Sequence, residues 1–97
     1  MANIAVLGYG TVGSGVVLNT NKDRINSKSY EPINIKYVLD LRDFPGDPVQ
    51  EIITHDYNDI LNDNTIDVVV EVMGGINPAY TFVKQALESG KSVCTSN

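Results

Sequence analysis

The stretch Met1-Ala-Asn-Ile-Ala-Val-Leu-Gly-Tyr-Gly-Thr-Val-Gly-Ser-Gly15 decides the fold. An apolar run, Ile4 to Leu7, leads directly into Gly8-x-Gly10-x-x-Gly13, and Val16 and Val17 follow. That order predicts strand, tight glycine turn, helix. The string sits at the mouth of the first strand and opens a helix, which is the context that gives it meaning. Such a turn aims backbone amides and the positive end of a helix at an anion, and it is the arrangement that seats a dinucleotide pyrophosphate. Gly8 permits the turn, Gly10 lets the backbone approach the phosphates, and Gly13 lets the helix lie close on the strand. Tyr9, Thr11 and Val12 lie between these glycines, so their amides are expected to face the ligand.

Outward from that stretch, apolar strands alternate with helical segments. The helix after the turn is expected to start at about Gly10 or Thr11, with Val12, Val16 and Val17 on the sheet, and either to fray at Asn19-Thr-Asn21 or to continue to about Ile25. Residues 26–32 read as loop. Ile33 to Leu39 reads as the second strand and ends at Asp40. Phe44-Pro-Gly-Asp-Pro48 is rich in turn residues. Residues 49–54 fit a short strand or a helical turn equally, and 56–61 a short helix. Asp67 to Met73 is the clearest strand, broken by Gly74-Gly75.

The last helix has Asn77 as N-cap, Pro78 at its first position and Gly90 at its stop. Its expected apolar face is Ala79, Phe82, Val83, Ala86 and Leu87. Lys91 to Thr95 forms a final strand. Strands that alternate with helices, the first of them (residues 3–7) apolar throughout and the second alternating early before turning apolar, predict an α/β domain with a Rossmann-like, doubly wound parallel sheet. Ligands of such sheets bind where the strands end.

The end of the second strand bears on the choice of cofactor. A carboxylate there hydrogen-bonds ribose hydroxyls and favours NAD, whereas an arginine accommodates the 2′-phosphate of NADP. Asp40-Leu-Arg42-Asp43 offers both, and the sequence leaves NAD and NADP open. Asp40 lies further beyond Gly13 than the usual interval of about 20 residues, which the loop at 26–32 explains. Glu71, inside an apolar strand, reads as an acid satisfied by backbone amides, with a role at the cofactor crevice as the alternative. Gly74 and Gly75 either let backbone approach the nicotinamide ribose or simply turn the chain. His55 reads as a surface histidine without a partner, and Cys94 as a small core residue. Asp56, Asp59, Asp63 and Asp67 read as solvated caps and a helix face. No residue types recur at metal-ligand spacing.

The 97 residues predict one domain. A net charge of −5 argues against nucleic acid as a partner. No apolar run approaches the length needed to cross a bilayer. The N-terminal apolar stretch breaks at glycine after four residues and lacks a basic flank, so it does not read as a signal peptide. With the single cysteine, Cys94, these features favour a cytoplasmic protein.

Three blocks together carry a resemblance: Ile4 to Val16, Asp67-Val-Val-Val-Glu-Val-Met-Gly-Gly75, and Ala86 to Asn97. In order and spacing they resemble the nucleotide-binding part of homoserine dehydrogenase. That family reduces aspartate semialdehyde to homoserine with NADH or NADPH, on the route to threonine and methionine. The resemblance implies that Gly8, Tyr9, Gly10, Thr11, Val12 and Gly13 contact the cofactor, that Arg42 meets a 2′-phosphate, and that Gly74 and Gly75 lie near the nicotinamide half. In the family a lysine of the active site follows the segment matching Thr95-Ser-Asn97. The chain therefore reads as an incomplete, truncated cofactor-binding domain over 1–97. It is expected to have no catalytic residue and no turnover of its own, and to self-associate through an apolar sheet edge. Two alternatives stay open: the cofactor domain of another small-substrate oxidoreductase, and a stand-alone nucleotide-sensing module.

Overall fold

The computed structural model describes residues 2–10, 15, 33–73 and 79–95. Five parallel strands form one sheet: β1 Ala2–Leu7, β2 Ile33–Leu39, β3 Ile53–Thr54, β4 Val68–Glu71 and β5 Ser92–Thr95. Their order is β3-β2-β1-β4-β5. The chain thus builds outward from β1 in one direction, returns, and builds in the other. The reversal lies between β1 and β4, and the parallel doubly wound class is the one the alternating pattern predicts.

The register decides what the sheet presents at its end. Leu7 pairs with Leu39 on one side and Glu71 on the other, Leu39 with Thr54, and Glu71 with Thr95. The last residues of all five strands therefore form one row, and every following loop starts along the same rim.

The two faces of the sheet account for the unbroken apolar strands. Ala5, Leu7, Leu39 and Val69 face a core shared with Tyr57, Ile60, Ile66 and Ala86. Val6, Ile35 and Val38 face a second core with Tyr9 and Val49. Helices α1 (Asn58–Leu61) and α2 (Ala79–Glu88) supply Ile60 and Ala86 to the first. A 3-10 turn, Pro48–Ile52, supplies Val49 to the second. Successive residues point to opposite sides, so a strand buried on both must be apolar at every position.

The ambiguous segment 49–54 is both things in sequence: the 3-10 turn, capped by Asp47 Oδ1 accepting the Val49 amide at 2.9 Å, then β3. The strand expected at 67–73 is shorter. Val72 still donates to Leu7 O at 3.1 Å, but the Met73 amide donates to the Glu71 side chain at 2.8 Å and leaves the ladder. Helix α2 stops where Gly90 was expected to stop it. Gly90 has φ +89°, its N–H donates to Leu87 O at 3.0 Å and the Lys91 N–H to Ala86 O at 3.1 Å, a paired closure of the last turn.

Two expected core residues are outside. Leu87 is 57 % exposed, because the terminal turn of α2 carries it past the margin of the face set by Ala79 and Ala86. Cys94 is exposed, because β5 is the outermost strand and only Val93 of its four residues is covered. The helix expected after Gly10 falls almost wholly outside the described residues, as do Asn77 and Pro78; Gly15 is helical.

Gly8 shows why the first turn needs glycine. Its φ is +100°, and a Cβ there would stand 3.2 Å from Met73 Cγ and 3.3 Å from Met73 Cα. The positive φ strains any side chain there, and Met73 would have to give by a few tenths of an ångström. Gly8→Ala is expected to cost roughly 1–3 kcal/mol, read as a lower urea midpoint at unchanged slope. An unchanged midpoint would show that the turn relaxes freely.

Candidate cofactor-binding site

A cavity of about 450 Å³ opens on the rim where the strands end. The turn Gly8-Tyr9-Gly10 forms one wall, Leu39 to Arg42 a second, His55 and Tyr57 a third, and Val72, Met73 and Phe82 the fourth. Because the strand ends are in one row, four loops distant in sequence meet here.

The glycine wall is fixed from behind. The Gly8 amide donates to Leu39 O at 2.8 Å. Tyr9 turns its ring into the second core, edge-on to Phe44 at 4.8 Å, and its hydroxyl donates to Asp47 Oδ2 at 3.2 Å. Burial, helped by that carboxylate, pushes the phenol pKa up. The Tyr9 amide donates to Asp40 Oδ2 at 2.9 Å, so it is already taken up by that carboxylate. Among the described residues, a Cβ on Gly10 would meet nothing within 4 Å. The turn is therefore closed behind Gly8 and open in front of Gly10.

Asp40 and Arg42 act as one unit. Asp40 Oδ1 accepts from the Arg42 amide at 2.9 Å and from Arg42 Nε at 3.0 Å. Oδ2 accepts from Arg42 Nη2 at 3.0 Å and from the Tyr9 amide. The side-chain hydrogen bonds from Arg42, against the cost of burial, hold the carboxyl well below the usual carboxylate range. The same bonds raise the guanidinium further. Asp40 is 9 % exposed and Arg42 63 %. Arg42 also lies 5.2 Å over the Phe44 ring. The acid is consumed in fixing the base, and the base faces outward.

Three side chains of the site were not foreseen. Tyr57 and Phe82 stack tilted at 4.2 Å, and the Tyr57 hydroxyl donates to Phe82 O at 2.6 Å. Burial pushes this phenol up to about 12, so it remains a neutral donor. His55, expected to be partnerless, lines the cavity and places Nε2 3.0 Å from Asp43 Oδ1. Its signal was positional: it follows β3, and the end of any strand in a parallel sheet borders the crevice.

Glu71 is 1 % exposed. Oε1 accepts the Met73 amide, and Oε2 accepts the Thr95 hydroxyl at 2.6 Å. The reading of a satisfied acid holds, with a side-chain donor added to the expected backbone one. It ties the end of β4 to that of β5. Asp56, Asp63 and Asp67 accept backbone amides of Asn58, Thr65 and Asn3, and Asp59 accepts the Thr54 hydroxyl. Among the described residues no three His, Cys, Asp or Glu side chains group as a metal site. No described helix is long and apolar enough to cross a membrane. Thr11, Val12, Gly13, Gly74 and Gly75 lie outside the described residues.

An open glycine wall, an outward guanidinium and an apolar floor of Met73, Tyr57 and Phe82 suit a ligand with both phosphate and aromatic parts. A nicotinamide dinucleotide has that chemistry. A family model described as the NAD-binding domain of homoserine dehydrogenase matches residues 8–97. Homoserine dehydrogenase of Lactococcus lactis is 37 % identical over 98 % of this chain and 24 % of its own length. The enzyme of Bacillus subtilis is 36 % identical over 97 % and 23 %. A crystal structure of S. aureus homoserine dehydrogenase at pH 7.0 superposes with a TM-score of 0.87 at 42 % identity, covering 99 % of this chain and 26 % of that one. The chain spans about a quarter of the length of these relatives. The chain belongs to the homoserine dehydrogenase family and corresponds to its NAD-binding domain.

Proposed function

We propose that this chain forms the cofactor seat of a cytoplasmic homoserine dehydrogenase, which reduces aspartate semialdehyde to homoserine, and that the seat prefers NADP(H) to NAD(H). When bound, the nicotinamide supplies the hydride. The chain's own residues bind and orient. Gly8 and Gly10, with Thr11, Val12 and Gly13, cradle the pyrophosphate; Tyr9 braces that cradle from the core. Gly74 and Gly75 border the nicotinamide half. None of the described residues is assigned to the chemical step. Self-association through β5, an edge strand of the described sheet, belongs to the same reading.

The observation that carries the cofactor preference is the state of Asp40. An ionised carboxylate has about four acceptor positions, and four donors from Tyr9 and Arg42 already occupy them. Ribose hydroxyls would have to displace a charge-assisted pair to reach it. The guanidinium, held in place by that pair, offers its remaining donors to a phosphate. Arg42→Ala is expected to weaken NADPH binding roughly 10- to 100-fold, the value of one or two charge-assisted hydrogen bonds, and to leave NADH within about twofold. Calorimetric titration of each cofactor reads both. Equal losses would end the role given to Arg42.

A further inference from the structure

Two carboxylates stand on the rim to either side of β1, and they are held alike. On the β2 side, Asp40 Oδ1 accepts the amide two residues on, that of Arg42, and Oδ2 reaches across to the Tyr9 amide after β1. On the β4 side, Glu71 Oε1 accepts the amide two residues on, that of Met73, and Oε2 reaches across to the Thr95 hydroxyl on β5. Asp40 serves the cofactor seat through Arg42. Glu71 and Thr95 have no part in that reading, and neither lines the cavity.

Glu71 is a costly way to end a strand. Val68, Val69 and Val70 before it are apolar, and a fourth apolar residue would occupy the same buried position with no polar group to satisfy. What the carboxylate adds is direction. Val72 makes the last ladder bond of β4, to Leu7 O. Met73 comes next; its amide is turned to Glu71, and it lines the cavity. The chain thus leaves the sheet along a line set by Oε1. An acid bound at both oxygens has its side-chain torsions fixed, whereas one bound at a single oxygen turns about them. Thr95, the register partner of Glu71 on β5, supplies the second bond at 2.6 Å and so keeps Oε1 aimed.

We propose that Thr95, acting through Glu71, is a positioning residue for the nicotinamide half of the cofactor. This rests on the reading above, in which Arg42 takes the 2′-phosphate after β2 and the glycine turn after β1 takes the pyrophosphate. The sheet order places β4 and β5 on the far side of β1 from β2. A dinucleotide laid along the rim in that sense brings its nicotinamide over the end of β4, where the Glu71–Thr95 bond directs the backbone. Its adenosine half lies on the β2 side, away from that bond.

The test separates the two halves of the ligand. Calorimetry on the full chain gives affinities for NADPH and for adenosine 2′,5′-bisphosphate, which lacks the nicotinamide half. The chains compared are wild type, Thr95→Val, Thr95→Ser and Glu71→Gln, each checked for folding by urea unfolding. Thr95 is exposed, and valine keeps its shape and suits a strand. Thr95→Val is expected to lose about three- to tenfold in NADPH affinity, a part of the value of one hydrogen bond to a charged group, and to bind the bisphosphate as wild type does. Glu71→Gln, which keeps the buried volume but faces one donor with an NH₂, should show the same selective loss. Thr95→Ser keeps the hydroxyl and should hold NADPH within about twofold of wild type. Unchanged NADPH affinity in Thr95→Val or Glu71→Gln overturns the proposal. So does an equal loss of both ligands, or a loss that serine does not repair, since a contact that serves only the fold behaves in that way. Selective damage to NADPH by Arg42→Ala leaves the parent reading standing in each of these cases. If wild type binds neither ligand, the parent reading fails and this one with it.

Discussion

Gly10→Val is expected to abolish dinucleotide binding while leaving the fold intact. The two glycines of the opening turn do different work. Gly8 has a positive φ and stands close to Met73, whereas Gly10 is not among the glycines at positive φ, and a Cβ on it would meet nothing within 4 Å among the described residues. Gly10 lines the cavity. A branched side chain there costs the backbone little, within the roughly 0.5 kcal/mol typical of surface changes. It stands, however, where the pyrophosphate must approach the amides, and it removes contact with both phosphates. A loss of at least about 100-fold, some 2.7 kcal/mol, should appear for NADPH and NADH alike. Thermal unfolding should stay within a few degrees of wild type. Retained affinity would place the ligand elsewhere, and a large fall in stability would mean that Gly10 serves the fold.

Glu71→Ala should have the largest effect on stability. The carboxylate is almost fully buried and accepts two donors, the Met73 amide and the Thr95 hydroxyl. The half-buried Met73 amide deprived of its acceptor costs about 1–3 kcal/mol, the exposed Thr95 hydroxyl loses less, and the vacated volume adds to this. A total of about 2–4 kcal/mol is a large part of the 5–15 kcal/mol available to a domain. Glu71→Gln keeps the shape and one carbonyl acceptor, and presents an NH₂ to the other donor, so it should fall between wild type and alanine. Urea unfolding of the three chains gives the order directly. An alanine variant within about 0.5 kcal/mol of wild type would show that water replaces the carboxylate without cost. The site should be affected too, because Glu71 joins the end of β4 to the end of β5, and Met73 lines the cavity.

The sheet was legible because its physics is local. A strand covered on both faces is apolar at every position, and Ile4–Leu7, Tyr37–Leu39 and Val68–Val70 display this. The glycine turn was legible for the same reason: Gly8 and Gly10 answer to constraints within a few residues. Two features misled at the margins. Cys94 reads as a small core residue but lies on an edge strand, and strand order is a property of the whole sheet. Leu87 fits the helical period, but α2 ends there and the covering face has passed.

The site was half legible. Asp40 and Arg42 were both named, yet as alternatives. Only the backbone after β2 shows that the acid holds the base, which turns two competing readings into one. His55, Tyr57 and Phe82 had no local signature. They meet because parallel register brings Thr54 level with Leu39 and Leu7, and because the Tyr57 hydroxyl docks on the backbone of α2 at Phe82. Spacing along the chain carries no trace of either.

The most direct test follows the backbone amides of the isotopically labelled chain by NMR during titration with NADPH. The amides of Gly10 and Arg42 should move together and saturably, while those of Asn62 and Asp63, on the far side of α1, stay in place. Shifts confined to other parts of the chain, or none at concentrations that saturate homologous enzymes, would mean that the crevice at the strand ends is not where the dinucleotide sits.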